Sequence, residues 1–123
     1  MTDWLLVLAG AAVGAPIRYL LGVEANHRLG SGFPLGTFAA NAAASLILGY
    51  VAQTAAGGGL TSGQSLLLAT GLCGALSTWS TFSYELLTLT SKRRLATAAS
   101  YLVLSVGIAV GLSFAGAAAA RAF

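Results

Sequence analysis

Gly71-Leu72-Cys73-Gly74-Ala75-Leu76-Ser77-Thr78-Trp79-Ser80-Thr81-Phe82-Ser83-Tyr84-Glu85 decides the fold, because it lies in an apolar run long enough to cross a bilayer and yet is ill suited to one regular helix. Two glycines are followed by five hydroxyl residues within the seven positions from Ser77 to Ser83. Glycine has poor helix propensity, and Ser and Thr hydroxyls compete for the backbone groups that a helix pairs with itself. Irregular backbone at membrane depth is tolerated only where protein buries it or a cavity receives it. The stretch therefore predicts a transmembrane helix 3, over 62–90, that is broken near its middle.

Working outward, the 123 residues are 57% hydrophobic and only 7% charged, with a mean hydropathy of +0.84. A soluble domain carries about 25% charged residues to face water, so this chain belongs in a bilayer. Apolar runs over 3–24, 33–55, 62–90 and 95–120 predict an all-α membrane protein, a single domain over 1–123 with four transmembrane helices. Helix 1 is not a signal peptide: Met1-Thr2-Asp3 carries no positive side chain, and the run contains Pro16, where a bend is expected, and Arg18. His27 falls in the expected polar turn after helix 1, and Ser31-Gly32-Phe33-Pro34 precedes helix 2. Gly57-Gly58-Gly59 and Ser91-Lys92-Arg93-Arg94 mark the next two turns.

Function classes fall away quickly. One Cys excludes an internal disulfide framework or a cysteine zinc cluster, and one His with three scattered acids leaves no constellation for hydrolysis, so the chain is not read as an enzyme. A dispersed net charge of +3 gives no nucleic-acid surface. What remains is a set of neutral polar stripes. Thr37, Asn41 and Ser45 share a face of helix 2, beside a small-residue stripe of Gly36, Ala40 and Ala44. Thr97, Tyr101 and Ser105 share a face of helix 4, and Gly74, Thr78, Thr81 and Glu85 would share one on an unbroken helix 3. The spaced pairs Gly10/Gly14 and Gly107/Gly111 signal close packing, and Cys73 reads as a small packing residue. Asn41 stands out, since a carboxamide in a membrane helix is costly without partners. Neutral donors on three helices, with no acid or base at mid-membrane, suit a path for a small ion or neutral solute.

Gly10-Ala11-Ala12-Val13-Gly14-Ala15-Pro16-Ile17-Arg18-Tyr19, Gly36-Thr37-Phe38-Ala39-Ala40-Asn41 and the Gly71–Glu85 stretch, taken in order, resemble the Fluc (CrcB) fluoride channels. The resemblance implies an antiparallel dimer in the cell (inner or plasma) membrane, with two fluoride pores and passive efflux of cytoplasmic fluoride. It implies a structural sodium ion at the dimer interface, held by backbone carbonyls of Gly74 and Ser77. By the same resemblance Trp79 and Phe82 take the aromatic positions along the pores and Asn41 the helix 2 amide. Ser77, Thr78, Ser80 and Thr81 complete the lining at the break, Tyr101 and Ser105 form a hydroxyl track on helix 4, and Arg18 and Glu85 fill vestibule or structural positions. The chain departs from the family at Trp79, usually Phe, at Ala75 and Ser77, usually Gly and Thr, and at Ala109, often a hydroxyl residue.

Rival readings stay open at this point. A small proton-coupled multidrug-type exporter needs a carboxylate inside helix 1, which has none between Asp3 and Glu24; a non-transporting scaffold explains the small faces but not the aligned stripes. With four crossings, loops 1 and 3 hold Arg28, Lys92, Arg93 and Arg94, against Arg121 alone on the other side. The positive-inside rule puts those loops in the cytoplasm. The second subunit is then either an oppositely oriented paralogue or, if the charge bias is tolerated, a second copy, with membrane lipid around both.

Overall fold

Four helices long and apolar enough to cross a membrane follow one another in the computed structural model, which describes residues 2–29 and 33–122. Helix α1 (Thr2–Leu29) continues unbroken through Pro16 and runs past the expected end at residue 24. Exposed His27 therefore lies on its last helical turn rather than in a loop. The residues from Glu24 onward are polar but helix-compatible, and polarity alone ends a membrane crossing without ending a helix. The Ser31-Gly32 turn lies outside the described residues. Helix α2 (Leu35–Ala56) starts two residues later than the expected 33, with Pro34 as its cap. Proline disfavours helical geometry at the residue before it, which keeps Phe33 out of the helix.

The third crossing is broken, as the sequence predicts. Its first part, α3 (62–76), opens with a capping box in which the Thr61 hydroxyl accepts from Gln64 N–H and the Gln64 side chain accepts from Thr61 N–H. It proceeds as a π-helical stretch, Leu66–Cys73, and a last α turn, Gly74–Leu76. After Ser77, Thr78 and Trp79 the chain resumes as α4 (Ser80–Ser91), and α5 (Leu95–Ala122) makes the fourth crossing. Among the described residues all regular structure is helical.

Packing rests on backbones that nearly touch. A Cβ at Gly10 would run into the carbonyl of Leu67 and come within 2.9 Å of Gly71 Cα, so α1 and α3 meet main chain to main chain. A Cβ at Gly116 would strike the Leu46 carbonyl and lie 2.8 Å from Tyr50 N, and one at Gly49 would strike the Ser113 carbonyl, which fixes the α2–α5 crossing. Small residues at such points are what membrane helices use in place of a hydrophobic driving force. A Cβ at Gly107 or Gly111, in contrast, would meet nothing within 4 Å. One core cluster joins Ala40, Ala44, Cys73 and Leu76; another joins Phe82, Leu89, Ala98 and Tyr101. Leucine, valine and aromatic side chains such as Leu5, Leu8, Val103 and Phe114 face outward, as a lipid-facing surface requires.

Gly116→Ala is expected to destabilise the fold by about 1–3 kcal/mol through overpacking. Gly22→Ala, where a Cβ meets nothing within 4 Å, is expected to leave stability unchanged or slightly raised. Thermal unfolding in detergent measures both, and equal losses would contradict the close-crossing account.

Candidate functional site

The site begins with the loss of regular winding after Leu76. Ser77 still closes the helix, since its N–H and its hydroxyl both donate to the Cys73 carbonyl, at 2.9 and 2.8 Å. Its ψ of 159° then turns the chain to an extended course. Thr78 consequently has no helical neighbours for its own backbone groups, and Asn41 of α2 supplies both. The Thr78 N–H donates to Asn41 Oδ1 at 2.7 Å, and Asn41 Nδ2 donates to the Thr78 carbonyl at 3.1 Å. One carboxamide thus takes the place of two helical bonds, which is why an asparagine is tolerated in this crossing.

The break redirects donors, with a second consequence. In a regular helix the Gly74 carbonyl would accept from Thr78 N–H, but that group goes to Asn41. The Ser77 carbonyl would accept from Thr81 N–H, but that group points to the Thr78 hydroxyl at 3.3 Å. Gly74 and Ser77 are therefore two residues at the break whose carbonyls have their regular donors taken elsewhere. They also line, with Ser45 and Cys73, a cleft of about 200 Å³ between α2 and α3. Hard cations favour such oxygen donors. Among the described residues there is no group of three or more His, Cys, Asp or Glu side chains for any other metal.

Toward the end of the molecule carrying loops 1 and 3, the polar file continues on three helices. Thr37, 8% exposed, donates to Glu85 Oε1 at 2.6 Å, so the first residue of the α2 stripe engages α4. Tyr101 is fully buried and its hydroxyl approaches the same oxygen at 3.4 Å, longer than a full hydrogen bond. One turn along α5, the Ser105 hydroxyl is buried with no hydrogen-bond partner among the described residues. Phe82 is buried against Tyr101, with ring centres 4.9 Å apart, and Trp79 stacks at a tilt on Phe82 at 5.4 Å. Trp79 itself is 75% exposed on the single chain.

The structure thus gathers Asn41, Thr78, Phe82, Glu85, Tyr101 and Ser105 near one broken helix. Thr81 is half-buried on the first turn of α4, while Ser80 is exposed and Arg18 half-buried with no described contact. Ser45 completes the α2 stripe but spends its hydroxyl on the Asn41 carbonyl one turn back. Sequence reasoning placed Thr37 on the stripe but did not join it to Glu85; the i to i+48 link carries no local signal. It also missed Phe33 and Phe38, whose rings meet edge to face, Phe33 in turn meeting Tyr101 at 5.2 Å. Ser113 was missed as well: it donates to the Ala109 carbonyl at 2.9 Å and reaches toward Ser45 O on α2. Its spacing from Ser105 by two further turns was the available sign.

Comparison with known proteins finds similarity along nearly the whole chain. Residues 5–117 match the family described as CrcB-like protein, Camphor Resistance (CrcB). A relative from Frankia casuarinae, named fluoride-specific ion channel FluC 1, is 50% identical over 125 residues, covering 98% of this chain and 97% of the relative. One from Streptomyces avermitilis with the same name is 47% identical over 114 residues, covering 93% and 92%. The fluoride-specific ion channel FluC of Caulobacter sp. is 41% identical over 123 residues, covering 98% and 96%. The chain belongs to the CrcB-like protein family.

Proposed function

We propose that this chain is a subunit of a fluoride-selective channel of the cell membrane that lets cytoplasmic fluoride leave down its gradient. The geometric observation that carries the reading is the Ser105 hydroxyl, buried without a partner one turn from Tyr101, in a polar file that is otherwise neutral apart from Glu85. A small, tightly hydrated anion needs hydrogen-bond donors to replace its water, without a fixed positive charge that would hold it. Ser105 is such a donor left free. Aromatic rings offer their positive edges to an anion, and Phe82 and Trp79 are the rings nearest the break. A passage narrow enough to strip the ion of its water would favour fluoride over chloride by size. Hydrogen fluoride enters cells neutral, dissociates in the more alkaline cytoplasm, and the trapped anion then leaves by this route. The relatives' names support the same substrate.

Two rival readings lose ground here. An exporter driven by protons has no carboxylate within α1 between Asp3 and Glu24, and a scaffold has no use for a helix broken and re-satisfied by Asn41. A structural sodium ion fits the Gly74 and Ser77 carbonyls, whose regular donors are diverted. Bound there, it would neutralise backbone oxygen at the break. The pore is completed by a second subunit in antiparallel orientation, covering the exposed Trp79 and the open Gly74 surface. Arg28, Lys92, Arg93 and Arg94 on one side, against Arg121 on the other, favour a fixed orientation with loops 1 and 3 in the cytoplasm. The partner is then an oppositely oriented paralogue.

Liposomes carrying the protein, with its partner where one is needed, are expected to release fluoride and retain chloride; no fluoride release would overturn the proposal. Asn41→Asp faces the Thr78 carbonyl with a carboxylate in place of a donor, and an unmatched buried group costs about 1–3 kcal/mol. It is therefore expected to cut fluoride flux by roughly tenfold or more. Phe82→Ile stays apolar but removes the ring edge and some volume, and is expected to slow flux at a cost of about 1–3 kcal/mol in stability, read by thermal unfolding. Tags at either terminus, probed from outside intact cells, are expected to label almost completely; equal inside and outside populations would reject the fixed orientation and restore the homodimer.

A further inference from the structure

The turn between α4 and α5 is the most concentrated charge on the molecule. Lys92, Arg93 and Arg94 are all exposed, and no ion pair joins them to a carboxylate among the described residues. Of the three acids in the chain, Asp3 opens the first turn of α1 at the other end, Glu24 lies on α1 with an interaction of its own, and Glu85 is engaged by Thr37 and Tyr101. The first turn of α5 holds no acidic residue. The backbone of the turn is equally specific. Arg94 N–H donates to the Leu89 carbonyl at 2.9 Å and Arg93 N–H to that of Thr90 at 3.1 Å, the pairing that closes a helix around a left-handed residue. That residue is Arg93, with φ 58°, the one non-glycine residue of positive φ among those described. Glycine is the residue this position normally takes. Here the strain is accepted and a third cation kept.

A turn this short between two crossings is pinned at the membrane–water boundary. Leu87, one turn before it, and Leu95, just after it, are 65% and 62% exposed, so hydrocarbon-facing side chains flank the cations on both sides. We propose that the Lys92–Arg94 turn is a binding site for anionic phospholipid, with the headgroup phosphate held by the three cations and the acyl chains lying along Leu87 and Leu95. A free anion would use the charge and ignore the leucines, and a soluble acidic protein could not reach them. The proposal is independent of the ion that the chain conducts, because its readout is lipid binding.

The test is native mass spectrometry of the full-length protein in detergent, titrated with phosphatidylglycerol and phosphatidylcholine of matched chains. Each interfacial cation is worth roughly a factor of five in attraction to anionic lipid. The expected preference for phosphatidylglycerol is therefore at least about tenfold, shrinking as ionic strength rises. Lys92→Gln/Arg93→Gly/Arg94→Gln retains the helix cap and is expected to bring the two lipids near parity, with an unchanged elution profile. Arg93→Gly alone, which relieves the backbone, is expected to reduce the preference severalfold and keeps the test open if the triple variant folds poorly. Equal binding of both lipids by the parent, or an undiminished preference in the variants, would overturn the proposal. Displacement of phosphatidylglycerol by millimolar inorganic phosphate would overturn it too, since the site would then read phosphate without the lipid.

Discussion

A peptide unit taken out of helical register inside a bilayer has no water to turn to, and here Asn41 provides both of the bonds that Thr78 lost. The rest of the site depends on that substitution of a side chain for a helix turn. It holds the end of α3 and the start of α4 against α2, and by engaging the Thr78 N–H it strips the Gly74 carbonyl of its ordinary donor. The Thr78 hydroxyl does the same to Ser77 by attracting Thr81 N–H. A single asparagine therefore both permits the break and takes the donor that the Gly74 carbonyl would otherwise have. Unmatched buried groups cost on the order of 1–3 kcal/mol each, so the arrangement is stable only as a set.

The second half of the polar file has a different character. Glu85 is the one carboxylate reached by the stripes among the described residues, and it accepts from Thr37 at 2.6 Å with Tyr101 at 3.4 Å beyond. Tyr101 in turn is fixed by aromatic neighbours, Phe82 at 4.9 Å and Phe33 at 5.2 Å. Rings on this scale add packing energy while leaving a phenolic hydroxyl in a set place. The carboxylate thus sits at the loop-bearing end of the file and the neutral donors lie deeper, an order suited to an anion only if the depth itself is free of fixed charge.

Four crossings, their approximate bounds and the interruption of the third could be read from residue types, because hydropathy and propensity are local properties. The partners at the interruption could not. Thr37 meets Glu85 across 48 positions and Asn41 meets Thr78 across 37, and no periodicity encodes such pairings. The stripe on α2 was legible as a face, yet its three members do different things: Thr37 and Asn41 reach another helix, while Ser45 turns back on its own. The π-helical stretch Leu66–Cys73 was equally invisible, since its apolar sequence suits an α-helix as well. Two ends differ from the hydropathy bounds: the polar residues from Glu24 onward stay helical to Leu29, and α2 starts at Leu35 after Pro34.

Spaced glycines divide into two groups that the sequence treats alike. Gly10 and Gly14 face α3, and Gly49 and Gly116 set the α2–α5 crossing, each at a point where any side chain would collide with backbone. Gly74, Gly107 and Gly111 meet nothing within 4 Å, and Trp79 beside the break is 75% exposed. In lipid, helices gain nothing from burying apolar surface, so close approach of small residues is the main source of association. The first group is used up within the chain. The second is left on the surface, and Trp79 next to the break is exposed there too. A polar file that ends beside an exposed ring leaves a surface that the proposed second subunit would enclose.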